Sequence, residues 1–222
     1  MNVLLVLAHP ERRSFNGAMF DTAQAALREA GHTVVTSDLY SMGYNPVSGR
    51  HNFASVKDAD YLKLQIEEMW ATETHGFASD VEAEIAKVEA ADLMIWQFPL
   101  WWFGPPAILK GWVDRTFAMG RTYGNGHIYD TGTFKGKRAL LSLTTGGPEA
   151  AYVKDGFNGD LAAILKPMHR GMLNFTGFSV LRPHVVYGPV RVDDAQRQTW
   201  LAQWAQRLRT IATEDPIDVG RY

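Results

Sequence analysis

Short apolar runs alternate with amphipathic segments along the chain. The first run, Val3 to Ala8, is rich in Val and Leu and is typical of a strand covered on both faces. The segment from Asn16 to Ala30 has apolar residues at helical spacing, and Gly31 behind it predicts the helix end. By the same criteria we expect further strands at 32–39, 92–98, 138–145 and 178–186, and further helices at 61–71, 80–91, 106–117, 161–175 and 193–212.

This alternation predicts an α/β fold with a doubly wound, five-stranded parallel sheet in the flavodoxin-like order 2-1-3-4-5 and helices on both faces. No repeat or linker divides the chain, so residues 1–222 are expected to form a single domain. The segment from Tyr40 to Asp58 has no clear periodicity, and loops of that length are often functional. Because ligands bind beyond the carboxyl ends of such strands, the loops after Ala8, Phe98 and Thr145 are of greatest interest.

Composition excludes several classes of function. The chain is 46% apolar with a formal net charge of −2 and no basic cluster, which argues against a nucleic-acid partner. It has no cysteine, and its seven histidines lack paired-ligand spacing, so no metal site is predicted. Its apolar runs fall far short of the ~20 residues that span a bilayer, and its N-terminus lacks signal-peptide features. We therefore expect a cytoplasmic protein without membrane insertion.

The first loop of interest, His9 to Asn16, leads from a buried strand into a helix. Free backbone N–H groups and the helix dipole at such a position favour a phosphate group, and the side chains of His9 and Ser14 could add donors. Ser14 and Asn16 also suit simple helix capping, so the loop alone leaves both interpretations open.

The second and third loops suit a planar ligand. Pro99 to Pro106 contains an aromatic group stiffened by prolines, so that its backbone could bond a heterocycle edge while Trp102 and Phe103 form walls. Thr144 to Gly147 ends in adjacent glycines, whose N–H groups could stabilise negative charge on a reduced isoalloxazine ring. Core packing is the alternative for the aromatic residues, and an ordinary tight turn is the alternative for the glycine pair. Tyr152 follows at a distance that reaches the same pocket.

Together these segments resemble the NAD(P)H:quinone oxidoreductase (DT-diaphorase) family, which has the flavodoxin-like fold. The resemblance covers nearly the whole chain. It is densest at Glu89–Leu93, Gln97–Leu100, Trp102–Gly104 and Pro106–Trp112, and it returns at Thr144–Gly147. It implies two-electron reduction of quinones or related electrophiles by NADH or NADPH, through FAD or FMN, in a ping-pong mechanism. It also implies a homodimer with flavin sites at the interface.

The resemblance further assigns roles to individual residues. The flavin would contact His9, Ser14, Phe15, Asn16, Gln65, Pro99, Leu100, Trp101, Trp102, Phe103, Thr144, Thr145, Gly146, Gly147, Tyr152 and Arg197. The acceptor would contact Trp102, Phe103, Tyr123, Asn125 and Tyr129. Arg197 would reach the adenosine end of the cofactor, or else be a solvated arginine on an exposed helix face.

Two positions depart from the family pattern. A tyrosine and a histidine form the proton relay of well-described members, and here Tyr152 is followed by Asn158 at the histidine position. Members that prefer dihydronicotinamide riboside resemble this chain in having asparagine there. Asn125 replaces a second substrate-side tyrosine. We expect Tyr152 and Asn158 at the catalytic centre, with purely structural roles as the alternative: packing at the pocket rim for Tyr152 and helix capping for Asn158.

Two other functions also fit a flavin-binding chain of this size. Some short relatives act as regulatory or ancillary subunits of ion-transport systems, and a flavin can serve there as a sensor. Flavodoxins are electron carriers, but carriers are usually strongly acidic and this chain is near neutral. The enzyme is therefore the leading hypothesis and the ancillary subunit the alternative.

Overall fold

The computed structural model describes residues 1–221 and contains six strands. These are β1 (Asn2–Leu7), β2 (Thr33–Asp38), β3 (Leu93–Pro99), β4 (Arg138–Thr145), β5 (Ser179–Val180) and β6 (His184–Tyr187). All pair in parallel in the order β2-β1-β3-β4-β5, and β6 also pairs with β4. The predicted order 2-1-3-4-5 is confirmed, with β5 and β6 together in the fifth position.

Helices cover both faces of this sheet, as predicted. They are α1 (Phe15–Glu29), α2 (Leu64–Thr74), α3 (Ser79–Ala90), α4 (Ala107–Thr116), α5 (Leu161–Met168) and α6 (Asp194–Arg209). Phe20 of α1 and Trp204 of α6 belong to the core on one face, while Trp112 of α4 and Leu165 of α5 belong to the core on the other. Each such side chain contributes about 1.5–3 kcal/mol through burial. Within residues 1–221, no helix is both long and apolar enough to cross a membrane.

The strand predicted at 178–186 is interrupted. Ser179 pairs with Arg138 and His184 pairs with Ser142. The interrupted strand therefore has one more residue between these two pairs than β4 has. Pro183 lies in the interruption and has no N–H group to donate. Beyond β6, the N–H group of Gly188 donates to the carbonyl of Thr145 at 2.9 Å, so that the following residues reach the end of β4.

The helix predicted at 161–175 changes type within its length. It is α-helical through Met168 and continues as π-helical turns over His169–Asn174. Pro167 lies inside α5, where it removes one backbone hydrogen bond and crowds the preceding turn. A change in helical hydrogen bonding next to such a residue is its usual consequence.

The long segment without periodicity is held against α4 by Arg115, which is 2% exposed. Its guanidinium donates to Asn52 Oδ1 and to the carbonyl of Asn45, both at 2.8 Å, and pairs with Asp80 at 2.9 Å. The backbones also approach closely, because a Cβ atom at Gly111 would lie 2.1 Å from the carbonyl oxygen of Pro46. Buried polar contacts therefore replace hydrophobic periodicity in positioning this segment.

Candidate active site

A cleft of about 310 Å³ lies at the carboxyl ends of the central strands. Its volume falls in the range of small-molecule sites. All three loops predicted from the sequence meet here, which is the arrangement that the parallel order requires. The lining residues are His9, Ser14, Phe15, Asn16, Pro99, Leu100, Trp101, Thr144, Thr145, Gly146, Pro189 and Val190.

Buried hydrogen bonds join the three loops beneath this cleft. Gln97 donates through Nε2 to Asn16 Oδ1 at 2.8 Å, and Asn16 donates through Nδ2 to Thr144 Oγ1 at 2.9 Å. The N–H group of Leu100 donates to the carbonyl of Thr144 at 2.8 Å. Ser14 is the N-cap of α1 and accepts from the N–H group of Gly17. The capping interpretation is therefore right for Ser14, whereas Asn16 connects β3 to β4.

The aromatic loop turns sharply at Trp102 and Phe103. These two residues have φ values of +50° and +59°, and Trp101 and Gly104 on either side exchange backbone hydrogen bonds. Positive φ is uncommon for bulky residues and costs about 1–3 kcal/mol each. The turn leaves Trp102 98% exposed and Phe103 52% exposed, and neither lines the cleft. Trp101 does line it, with its ring 6.2 Å from the ring of His9.

The glycine loop brings Tyr152 and Asn158 together. A Cβ atom at Gly147 would lie 3.2 Å from Tyr152 Cε2 and 3.4 Å from Asn158 Nδ2, so both side chains converge on that backbone. A Cβ atom at Gly146 would meet nothing within 4 Å. Asp160, not Asn158, caps α5, because its side chain accepts from the N–H group of Ala162. The capping alternative for Asn158 is thus wrong.

A second cleft of about 330 Å³ continues past the start of α1. It shares Ser14, Phe15, Pro189 and Val190 with the first cleft and is also lined by Arg13, Ala18, Asp194, Arg197, Gln198 and Leu201. The Arg197 guanidinium donates to the carbonyl of Pro189 at 3.0 Å and pairs with Asp194 at 2.5 Å. Arg197 is therefore fixed at this cleft and is not simply a solvated side chain.

The remaining predicted residues lie outside both clefts. Gln65 Nε2 donates to the hydroxyl of Tyr123 at 3.2 Å. The rings of Tyr123 and Tyr129 lie 5.7 and 5.3 Å from that of Phe175. Asn125 is exposed and has a φ of +51°. Within a single chain, none of these four residues lines the first cleft.

Sequence reasoning missed three residues of the site. Pro189 and Val190 line both clefts, and Gln97 lies under the first one in the hydrogen-bonded chain. The loop after β6 is a further loop at a carboxyl strand end, so the rule that pointed to the other three loops also applies to it. Pro183 weakens the strand pattern before this loop, so the loop was not included among those expected to form the site.

A sequence model of the family with the flavodoxin-like fold matches residues 1–208. Ribosyldihydronicotinamide dehydrogenase (quinone) from Rattus norvegicus is 44% identical over 216 residues, covering 97% of this chain and 94% of that protein. NAD(P)H dehydrogenase (quinone) 1 from the same organism is 44% identical over 215 residues, covering 96% and 78%.

Among solved structures, a Klebsiella pneumoniae protein assigned as a quinone reductase superposes with a TM-score of 0.94. It is 40% identical in sequence, and the match covers 98% of this chain and 87% of that one. These findings confirm the resemblance seen in the sequence. The chain belongs to the quinone reductase family of flavodoxin-like proteins.

Proposed function

We propose that this protein is an NAD(P)H-dependent flavoprotein that reduces quinones or related electrophiles by two electrons. The observation that carries the proposal is the meeting of the three loops at one cleft, in a chain 44% identical to NAD(P)H dehydrogenase (quinone) 1. An ancillary subunit would not require this identity to enzymes over 96% of the chain.

The cleft suits a flavin ring. Phe15, Leu100 and Trp101 supply apolar and aromatic walls, while Thr145 and Gly146 supply polar backbone at the edge. The space that a Cβ atom would take at Gly146 is open, so a flat ring can approach that backbone closely. A flavin bound here would supply two-electron chemistry as a hydride acceptor and donor.

The second cleft favours FAD over FMN. The first turn of α1 has N–H groups without intrahelical partners, which suits a phosphate beside Ser14 and Phe15. Past this point the cleft continues along α6 to Arg197, with Arg13 at its edge. FMN ends at one phosphate and would leave this second volume empty, whereas the adenosine diphosphate part of FAD would occupy it.

Tyr152 and Asn158 are the proposed catalytic pair. The Tyr152 hydroxyl would donate a hydrogen bond to negative charge that develops on the cofactor, and preorganised donors of this kind stabilise a transition state by about 3 kcal/mol. Asn158 can orient a group through its amide but has no proton to transfer at neutral pH. Gly147 allows both side chains to pack against the same backbone.

A homodimer would complete the acceptor side. Trp102 and Phe157 are each 98% exposed and Phe103 is 52% exposed, which is unusual for aromatic side chains. In a two-fold dimer, Tyr123, Asn125 and Tyr129 of a second copy could cover the cleft beside Trp102 and Phe103. Sedimentation of the purified protein at micromolar concentration tests this: a dimer is expected, and Trp102→Glu should weaken it. A fully active monomer would refute the dimer.

Flavin extraction followed by turnover tests the function itself. We expect about one FAD per chain and oxidation of NADH or NADPH with a menadione-type quinone, with parallel double-reciprocal lines that indicate a ping-pong mechanism. Protein that binds neither FAD nor FMN would refute the enzyme. Flavin-loaded protein without turnover would support the ancillary subunit instead.

A further inference from the structure

A pocket of about 420 Å³ lies between α2, α4 and the loop that follows α4. It shares no lining residue with the flavin cleft or its extension. Its lining residues are Ser48, Leu64, Gln65, Glu68, Val113, Asp114, Phe117 and Tyr123. The volume is sufficient for a small organic ligand, and two aromatic rings form part of the wall.

Glu68 is the unusual group in this pocket. Glu68 is only 4% exposed, and its Oε2 accepts a hydrogen bond from the N–H group of Met119 at 2.7 Å. The residues described by the structure offer Oε1 no hydrogen bond and Glu68 no ion pair. Burial raises the pKa of this carboxyl to about 7, and the single backbone hydrogen bond only partly offsets the effect.

The other polar groups around the pocket do not neutralise Glu68. Asp114 of α4 lies about half exposed and is paired with Lys110, whose Nζ lies 2.6 and 2.8 Å from its two oxygens. The Tyr123 hydroxyl accepts from Gln65, and burial together with the charge of Glu68 raises the pKa of that hydroxyl. No lysine or arginine is among the lining residues. When Glu68 is ionised, its negative charge is therefore not neutralised by any residue that lines the pocket.

A buried carboxylate needs a cation or a proton to be stable. Here the carboxylate lies in a wall that also contains the rings of Phe117 and Tyr123. Aromatic faces attract cations, and substituted ammonium groups are the ligands that combine apolar surface with a positive charge. We propose that this pocket binds an organic cation of the substituted ammonium class, with Glu68 as its counter-ion. Gln65 and Tyr123 of this wall are also the expected flavin and acceptor contacts, whereas Glu68 has no assigned part in quinone reduction, so substitution of Glu68 tests the cation site on its own.

Calorimetric titration of the purified protein with benzyltrimethylammonium tests this site, because the probe keeps its charge at every pH. We expect saturable binding, about tenfold tighter at pH 8 than at pH 6, since ionisation of Glu68 rises over that interval. Glu68→Gln should weaken binding at pH 8 at least about tenfold and abolish the pH dependence. Glu73→Gln is the matched control: it removes an exposed carboxylate from the same helix and should leave the affinity unchanged.

A second measurement needs no variant. At pH 7 each bound probe should release about half a proton from wild-type protein, because binding favours the ionised carboxyl. The difference in heat between phosphate and MOPS buffers measures this release. Absence of saturable binding, or equal affinity in wild-type and Glu68→Gln protein, would overturn the proposal. Neither outcome affects the flavin-dependent activity, which the turnover assay tests independently.

Discussion

Asn16 donates a hydrogen bond to Thr144 Oγ1 at 2.9 Å, across 128 positions of sequence. Both residues are buried, at 3% and 6% exposure. Gln97 extends the contact by donating to Asn16 Oδ1, so that a chain of side chains runs under the cleft from β3 through the start of α1 to the end of β4. The relative position of the three loops that line the cleft therefore depends on this chain of hydrogen bonds.

Thr144→Val tests that dependence. The change keeps the shape of the side chain but leaves the Asn16 amide without its buried acceptor, which costs about 1–3 kcal/mol. We expect the free energy of unfolding of flavin-free protein to fall by that amount and flavin affinity to fall with it. Thr33→Val is the control, because Thr33 is exposed on β2 and should change stability by less than about 0.5 kcal/mol. Urea unfolding of flavin-free wild type, Thr144→Val and Thr33→Val measures these differences in the free energy of unfolding.

The adjacent glycines should respond differently to alanine. A Cβ atom at Gly147 would press on Tyr152 at 3.2 Å, so Gly147→Ala should destabilise flavin-free protein by about 1 kcal/mol or more. A Cβ atom at Gly146 meets open space, so Gly146→Ala should leave that stability unchanged and weaken flavin binding at least about tenfold. Thermal unfolding without flavin, together with flavin titration, separates the two effects. Unchanged flavin affinity in Gly146→Ala would contradict the assignment of this backbone to the site.

The sequence was sufficient to predict the sheet order and the meeting of the loops, because apolar periodicity identifies strands and parallel topology places their carboxyl ends together. Periodicity does not report backbone conformation within loops. Trp102 and Phe103 have positive φ values, which are uncommon for aromatic residues, and neither residue lines the cleft. The contact between Gln65 and Tyr123 depends on tertiary packing, which spacing along the chain does not reveal.

Two histidines should make the fold sensitive to acid. Burial lowers the pKa of His169 and of His184 to about 4, and His184 is stacked on Trp204 with ring centroids 4.2 Å apart. Nε2 of each ring is buried and has no hydrogen-bond partner among the described residues. The folded pKa values lie below the unfolded value of about 6.5. The stability that neutral rings contribute is thus fully present above pH 6.5 and is lost as the pH falls towards 4.

Each histidine accounts for up to about 3 kcal/mol over this interval. We expect His169→Gln to reduce the slope of unfolding free energy against pH between 6.5 and 4, whatever its effect on absolute stability. His75→Gln, at an exposed position, should leave the slope as it is in wild-type protein. Chemical unfolding at a series of pH values measures both slopes, and equal slopes in all three proteins would refute the assignment.

Tyr152→Phe should slow flavin reduction by NAD(P)H at least about tenfold, equivalent to about 1.4 kcal/mol of transition-state stabilisation. The variant removes the hydroxyl but keeps the ring that packs 9% exposed beside Gly147 and 6.0 Å from Tyr187. Tyr187→Phe is the matched control and should retain the wild-type rate. Stopped-flow absorbance of the bound flavin gives these rates directly. An unchanged rate in Tyr152→Phe would leave the tyrosine with a packing role alone.

Asn158→His should give the same half-reaction a new dependence on pH. The position faces Gly147, where its Nδ2 lies 3.4 Å from the site of an added Cβ atom, so an imidazole there would be close to Tyr152. A histidine has a reference pKa of about 6.5, and its protonated form would stabilise negative charge that develops near the glycine loop. Reduction should therefore be faster on the acidic side and should slow between about pH 6 and 8.

Phe157→His places the same group one residue earlier, at a side chain 98% exposed, and should add no such dependence. If both variants follow the wild-type pH profile, Asn158 lies too far from the developing charge to act on it; if both depart from it equally, the effect is a general one of added charge and not of this position.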